Sequence, residues 1–535
     1  MLSYRKLAMR VLGHPLHTGG IDSPRPASQR AAAFILTAAM LTTLAAPAFA
    51  DIWHIENGDI TISAGESGNN VTQNNNTTYG DTNTIITNQN KDTASSHTVT
   101  IEAKDKDDKV EVTLKDVNID TSSRNKAAVS VTGEGDTNIK LDGDNALKSD
   151  IYRSGIYGSG SLTISGGEND SLTAQGGSSA DGISSSGSLT ISGGTVTANG
   201  DDGGRGISSS GSVTISGGST VTANGGSGTI SGGDGIWSGG GVTISGGSTV
   251  TANGGNGGSL VGGDGIRSGG GLTVSDGTVT AKGGNGDSKD GYGGDGIRSG
   301  GVVTISGNTV NAAGGYGGKV GGYGICSFDR VAISGGTVEA AGGNGSTGGG
   351  SGIYSSVIDL SGSLELTAKA GSPNGKALSQ KGSELVLDTI KDKLGPGAKV
   401  TATDADGKVI DQVSTPRPVE PEESSSSSDG GSAAPSAPAS PLPGLTVTDK
   451  DGQRISYTST QSGNTLTVCV GRLTASFRIS LAALRQLRAE GIETITFQTI
   501  LCSTTLSVDE LLAMGGEDAE AVLTHRFTDS SLTVG

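Results

Sequence analysis

The sequence predicts an all-β protein, a parallel β-solenoid (β-helix) with a small α+β domain at its C-terminal end. Three observations predict the solenoid. A Gly-Ile pair recurs at steps of 24 to 31 residues, a second aliphatic residue follows most of these isoleucines at a constant distance of eight residues, and glycine accounts for 93 of 535 residues. Such a spacing is typical of repeats that stack on one another.

Each repeat contains three short strand-like pieces separated by glycine or asparagine. The pieces read G-I-x-S, L-T-I-S-G-G and T-V-T-A-N-G-G, and aliphatic and polar side chains alternate along them. Alternation with a period of two predicts strands that are buried on one face. We expect one buried column formed by the repeat isoleucines, which are Ile156, Ile183, Ile207, Ile236, Ile266, Ile297, Ile325 and Ile353.

Stacking is required because one repeat buries too little to fold alone. A buried aliphatic side chain contributes about 1.5–3 kcal/mol, whereas ordering the backbone costs about 1–2 kcal/mol per residue. Stacked coils pair every strand and join the side chains into one core. We expect glycine to supply positive φ angles at the corners. Insertions are expected at one corner, the Gly-rich stretch between Ala223 and Asp234 and its counterparts.

Composition divides the chain into five parts. Basic residues, an apolar run and Ala48-Phe49-Ala50 predict an export signal with its cleavage site before Asp51. Leu364–Leu366 and Leu385–Leu387 are interpreted as strands of the last coils. The predicted parts are a signal peptide (1–50), an irregular N-terminal cap (51–96), the solenoid (97–412), a Pro/Ser/Glu-rich linker (413–444) and the α+β domain (445–535).

The C-terminal domain carries two helical patterns among strands. One runs over Ser480–Leu487 and ends by Gly491, and the other opens with the capping-box sequence Ser507-Val508-Asp509-Glu510. Cys469 and Cys502 could form a disulfide after export, or they could be two buried thiols in separate strands. No CxxC spacing is present, which argues against zinc.

Charge and hydropathy exclude some classes of partner. The formal net charge is −17, which argues against nucleic acid because phosphate binding requires clustered Lys and Arg. No second long apolar stretch follows the signal, so we expect a mature chain, secreted or at a bacterial cell surface, without a membrane span.

A candidate ligand-binding row follows the repeat isoleucines. The next position points outward by alternation and holds Trp237, Arg267 and Arg298 on successive coils. Stacked like charges about 5 Å apart repel by roughly 1 kcal/mol even in water. An anionic sugar could offset the arginines, with Trp237 as a stacking platform.

Aspartates precede three of the same Gly-Ile pairs, at Asp234, Asp264 and Asp295, and a fourth lies at Asp181. They could offset the arginines, or hold calcium between stacked carboxylates. The alternative is that Asp-Gly is ordinary turn chemistry and that the arginines are solvated. The sequence leaves these three interpretations open.

The repeats also resemble a known group of proteins. The string G-S-L-T-I-S-G-G, with G-G-T-V-T-A-N-G-G and D-G-I units, is similar to Gly-rich "ITISGGTVTA" repeats of bacterial secreted and surface proteins. Val110–Leu147 resembles the start of the carbohydrate-binding β-helix domain of that group. Over roughly residues 97–370 the resemblance implies a right-handed parallel β-helix and binding of plant-type or acidic polysaccharides assisted by calcium. An LPxTG sorting signal is missing, since Leu442-Pro443-Gly444 does not provide one.

Three functions follow as hypotheses. The first is an extracellular polysaccharide-binding or adhesin-like protein, and the second is a passive stalk that displays the C-terminal domain. The third is a polysaccharide lyase or hydrolase, which needs a general base or paired carboxylates in a groove. All five histidines lie outside the repeats. We therefore predict no catalytic residues and no enzyme.

Overall fold

The computed structural model describes residues 51–416 and 444–534, the latter with gaps at 450–453, 456, 463, 471–473, 500–502, 517–518 and 527–528. The chain divides into two compact units at Glu420 and Pro421. The predicted signal peptide and most of the predicted linker lie outside the described residues.

The first unit is a parallel β-solenoid of about 13 turns. Its strands form three columns, each pairing in parallel with its counterparts in neighbouring coils. The first column carries the repeat isoleucines: Ile60–Gly65, Val99–Ala103, Val129–Gly133, Ile156–Gly158, Ile183–Ser185, Ile207–Ser209, Ile236–Ser238, Ile266–Ser268, Ile297–Ser299, the first halves of Ile325–Ile333 and Ile353–Leu360, and Leu378–Gln380.

The second and third columns follow in each coil. The second consists of Ile52–His54, Thr84–Thr87, Lys109–Lys115, Asp136–Asp142, Ser161–Ser165, Leu189–Ser192, Val213–Ser216, Val242–Ile244, Leu272–Val274, Val303–Ile305 and the second halves of Ile325–Ile333 and Ile353–Leu360. The third consists of Asn118–Asp120, Asp144–Lys148, Ser171–Ser178, Thr195–Asp201, Thr220–Asn224, Ser248–Asn253, Gly277–Lys282, Thr309–Ala313, Gly336–Ala341, Leu364–Lys369 and Lys399–Thr403.

Antiparallel strands cover the column ends. Gly68–Gln73 pairs antiparallel with Ile60–Gly65 and with Asn76–Asp81. At the other end, the short strand Ser383–Glu384 pairs antiparallel with the first column and Val409–Ser414 with the third. The part of this unit that the structure describes also contains two 3₁₀ helices, Ile55–Asn57 and Leu387–Lys393.

Both ends differ from the sequence-based boundaries. Coil pairing begins at Ile52, inside the stretch expected to be only an irregular cap. The expected strand Leu385–Leu387 is wrong, because the 3₁₀ helix starts at Leu387. Leu387 and Ile390 are buried on the solenoid core. A short alternation of apolar residues is compatible with both a strand and a 3₁₀ helix. At the end of a column, the alternation reflects only which side chains are buried.

The core is a thin aliphatic column, as the repeat predicts. All eight repeat isoleucines, from Ile156 to Ile353, have 0% of their surface exposed. The residues eight positions later are equally buried, Ile164 and Ile305 among them. One continuous hydrophobic cluster extends from Ile55 to Val413. The coils therefore share a single core.

The serine of G-I-x-S has a structural role at the corner between the first two columns. Ser238, Ser268 and Ser299 are buried. Each Oγ donates to a glycine carbonyl oxygen of the preceding coil at 2.8–3.0 Å. A buried hydroxyl requires such a partner, and here the bond connects successive coils.

Glycine serves two different purposes at the corners. Between the second and third columns, Gly193 and Gly194 have φ angles of +87° and +72°, as expected. In the inserted stretches the expectation of positive φ is wrong for glycines such as Gly255 and Gly263, which do not have it. A Cβ at Gly263 would lie 1.9 Å from the Gly233 carbonyl oxygen. These glycines are required by close backbone packing.

The insertions fall at the expected corner but do not form solvated loops. Gly263 N–H donates to the Gly255 carbonyl, and Gly255 N–H donates to Gly233 of the preceding coil, both at 2.8 Å. The same alternation runs from Gly204 to Gly371. We call this chain of backbone hydrogen bonds the glycine spine.

The described residues of the second unit form two four-stranded sheets and two helices. One sheet consists of Leu445–Thr448, Thr474–Ser480, Glu520–Arg526 and Asp529–Val534, and the other of Thr458–Ser462, Thr465–Cys469, Thr494–Gln498 and Ser503–Ser507. Both sheets contribute to a separate core, in which the Phe477 and Phe497 rings lie 4.9 Å apart.

The two helices of this unit are close to their predicted positions. Helix α1 spans Leu481–Ala489, and Ser480 Oγ accepts a hydrogen bond from the Ala483 N–H at 3.2 Å. Helix α2 spans Val508–Met514, and Ser507 Oγ accepts from the Glu510 N–H at 3.4 Å. No helix among the described residues combines the length and apolarity needed to cross a membrane.

Candidate ligand-binding face

The register of the first column places the predicted row on adjacent coils. Ser208 pairs with Trp237, Trp237 with Arg267, and Arg267 with Arg298. The Arg267 and Arg298 side chains are 49% and 37% exposed. The row therefore lies on one outer face of the solenoid, as alternation predicts.

The aspartates form a second, buried row beside the first. The Asp264 N–H donates to Asp234 Oδ1 at 2.8 Å, and the Asp295 N–H donates to Asp264 Oδ1 at 2.7 Å. The Asp295 carboxylate accepts from the Tyr323 N–H in the same way. Each carboxylate thus accepts a hydrogen bond from the backbone of the next coil, which is a structural role.

The second carboxylate oxygen of each aspartate faces an arginine. Asp234 Oδ2 lies 3.5 Å from Arg205 Nε, and Asp295 Oδ2 lies 3.4 Å from Arg298 Nη1. The Asp264–Arg267 pair is looser, at 4.0 Å. The aspartates therefore offset the stacked arginines, one of the three interpretations that the sequence left open.

Burial raises the pKa values of the aspartate row. Desolvation raises the pKa of Asp295 to about 6, although the Tyr323 N–H and Arg298 partly oppose it. Burial, together with the neighbouring carboxylates Asp295 and Asp234, raises the pKa of Asp264 well above its usual range. Asp234 shifts in the same direction, again chiefly through burial.

Arg205 is a member of this site that the sequence analysis did not identify. Its guanidinium carbon lies 4.4 Å from the centre of the Trp237 ring, a cation–π contact. The signal was available, since Arg205 precedes its Gly-Ile pair at the position where neighbouring repeats have aspartate. Arg205 carries the opposite charge at this position and therefore does not belong to the recurring aspartate pattern.

A groove runs beside the two rows. It has a volume of 550 Å³, and backbone of glycines such as Gly233 and Gly263 lines it. Arg205, Arg267 and Arg298 border the same groove. Arginines at the edge of a glycine-lined groove can donate bidentate hydrogen bonds to a carboxylate or sulfate.

Aromatic side chains extend the face past Arg298. The Arg298 guanidinium carbon lies 5.3 Å from the centre of the exposed Phe328 ring. The Tyr323 and Tyr354 rings are stacked 4.9 Å apart. Tyr354 occupies the outward position one coil after Cys326, which is itself buried. The face thus combines cations with aromatic rings.

The structure gives less support to the predicted calcium site and the predicted disulfide. In the part of the chain that the structure describes, no group of three or more His, Cys, Asp or Glu side chains is placed to hold a metal ion. Calcium binding by Asp234, Asp264 and Asp295 stays a prediction. The Cys469–Cys502 disulfide also stays one, because Cys502 lies outside the described residues.

No family model, curated protein or solved structure matches this chain. The resemblance to bacterial Gly-rich surface repeats is therefore an expectation from the residues alone.

Proposed function

We propose that this chain is an extracellular, adhesin-like β-solenoid that binds acidic polysaccharides through the face carrying Trp237, Arg267 and Arg298. One observation carries the proposal. Three arginines border a groove on a protein whose net charge is −17, and one of them, Arg205, contacts the Trp237 ring. A local cationic face favours anionic partners.

The location outside the cell is supported by the pattern of residues 1–50, which combines basic residues, an apolar run and a small-residue cleavage site. A β-solenoid with an aliphatic core and polar outer faces also suits this location. Polar ladders on successive coils offer a polymer one contact per coil.

A glycan-binding screen tests the proposal. The immobilised panel contains polygalacturonate, alginate and hyaluronan, with cellulose and xylan as neutral controls, and each is measured with calcium and with chelator. We expect acidic glycans to be retained, and the Trp237→Ala/Arg267→Ala double variant to lose most of that binding. Equal retention of the double variant, or of neutral glycans, would overturn the proposal.

The second hypothesis is a passive stalk that presents the C-terminal unit. It is favoured by the two separate hydrophobic cores. A stalk predicts no glycan retention by the solenoid in the same screen. The third hypothesis, a lyase or hydrolase, predicts release of unsaturated uronate or reducing ends from the retained polysaccharide.

A further inference from the structure

A second groove lies on the same outer face, toward the N-terminal end of the solenoid. It has a volume of 660 Å³ and is lined by Lys126, Tyr152, Arg153 and Tyr157, among others. Tyr157 occupies the outward position after Ile156, one coil before Ser184. Tyr157 and Trp237 therefore belong to the same row, separated by three coil steps.

The cations of this groove are presented differently from those near Trp237. Arg153 is exposed, and its Nε donates to Asn125 Oδ1 at 3.2 Å. Within the described residues no carboxylate lies within ion-pair distance of Arg153, whereas Lys126 pairs with Asp59 at 3.1 Å. Arg153 therefore offers an uncompensated guanidinium, the group suited to a planar carboxylate.

Backbone strain marks the same place. Tyr152 has a φ of +60°, and 75% of its surface is exposed. Asn125, which orients Arg153, has a φ of +52°. A bulky aromatic residue is rarely found in this conformation, and glycine would occupy it without strain. The ring of Tyr152 contributes little packing there, so its presence calls for another explanation.

We infer that the groove of Tyr152, Arg153 and Tyr157 is a second subsite for an acidic polysaccharide, and that one glycan chain lies along the solenoid axis across both grooves. The inference rests on the proposed function of the Trp237 face. From Tyr157 to Trp237 the three coil steps span about 14 Å at roughly 4.8 Å per step. Ser184 and Ser208 occupy the corresponding positions between them. Ser208 is buried and accepts a hydrogen bond from Arg205 Nη1 at 3.4 Å, so a chain that crosses this step would meet the Arg205 guanidinium.

Linked subsites make affinity depend on ligand length. Once one groove is occupied, binding to the second becomes intramolecular, and the gain can reach about 100-fold without any new kind of contact. A ligand too short to span the grooves gains nothing. Binding of one glycan chain along the solenoid axis therefore predicts that affinity increases with ligand length.

The test is calorimetric titration of the mature protein with oligogalacturonates, namely a disaccharide, a tetrasaccharide and an octasaccharide. We expect the octasaccharide to bind about 100-fold more tightly than the disaccharide. Tyr157→Ala and Tyr152→Gly should each lower octasaccharide affinity up to about tenfold. Tyr152→Gly should not lower the thermal midpoint, because it removes strain and an exposed ring. Tyr79→Ala is the matched control, since Tyr79 is 76% exposed and lies outside both grooves.

The outcomes separate this inference from the function on which it rests. Octasaccharide affinity equal to disaccharide affinity, or unchanged in the Tyr152 and Tyr157 variants, overturns the second subsite and leaves the Trp237 face intact. Absence of binding at every length overturns both. An equal loss in Tyr79→Ala would also overturn the second subsite, because it would show a nonspecific effect of removing tyrosine.

Discussion

The guanidinium carbon of Arg205 lies 4.4 Å from the centre of the Trp237 ring, and Arg205 Nε lies 3.5 Å from Asp234 Oδ2. The arginine thus connects the buried aspartate row to the outer aromatic platform. Its guanidinium lies over the indole ring, and Trp237 is half-buried.

The charge around Trp237 can be measured without any glycan. A Trp53→Phe variant leaves Trp237 as the only tryptophan, since the chain has two. We expect the ratio of iodide to caesium quenching constants to exceed that of free N-acetyltryptophanamide, because Arg205 and Arg267 concentrate anions near the indole. Adding Arg205→Gln should reduce that ratio. A ratio no higher than that of N-acetyltryptophanamide would contradict the assignment of a cationic face.

The aspartate row makes stability depend on pH in a direction opposite to that of most carboxylates. Burial raises the pKa of Asp295 from 3.8 to about 6, so the folded state binds the proton more tightly than the unfolded chain. This contribution to stability is therefore fully present below about pH 4 and is lost as pH rises through about 6. The expected change is on the order of 1–3 kcal/mol.

Asp295→Asn isolates this effect, because asparagine keeps an oxygen for the Tyr323 N–H and carries no charge. Urea unfolding at several pH values should show wild type losing stability relative to the variant between pH 4 and pH 7. Parallel curves for the two proteins would refute a buried, proton-binding Asp295.

The ion pairs of Asp59, near the N-terminal end of the solenoid, predict a pH dependence of stability with the opposite sign. Burial of Asp59 acts to raise its pKa, but hydrogen bonds from Arg124, Thr98 and Lys126 outweigh it and hold the pKa far below its usual range. Asp59→Asn should lower stability at pH 7 by about 1 kcal/mol, after allowance for solvent screening. The deficit should shrink as pH falls below about 4. A deficit that is constant with pH would show that Asp59 acts without its charge.

The glycine spine offers a matched pair of substitutions two residues apart. A Cβ at Gly350 would lie 1.8 Å from the Gly322 carbonyl oxygen, whereas a Cβ at Gly348 would meet only Val320 methyl groups at 3.8 Å. We expect Gly350→Ala to destabilise the solenoid by about 3 kcal/mol or more and Gly348→Ala to change stability by less than about 1 kcal/mol. Equal effects in thermal unfolding would argue against the spine.

The sequence predicted the solenoid because its strongest pattern reports directly on burial. Ile236 and Ile266 are separated by 30 residues, and this distance has meaning only if the chain returns to the same place once per coil. The outward position of Trp237 followed from simple alternation. These features depend on local geometry, which a single sequence contains.

Other features depend on contacts between distant backbones and were missed for that reason. The spine requires Gly263 to pack against Gly233, thirty residues earlier, and neither φ nor composition indicates this contact. The first coil at Ile52 lacks the Gly-Ile signature, so only pairing reveals it. Arg205 was overlooked because it breaks the aspartate pattern rather than repeating it.

The most direct measurement compares oligogalacturonate with its fully methyl-esterified form by calorimetric titration of the mature protein. If the arginine row recognises carboxylates, the acid form binds, the ester loses at least about tenfold in affinity, and Arg267→Gln/Arg298→Gln reduces acid binding to the level of the ester. If the ester binds as tightly as the acid, or the double variant binds as wild type does, this face does not recognise acidic glycans.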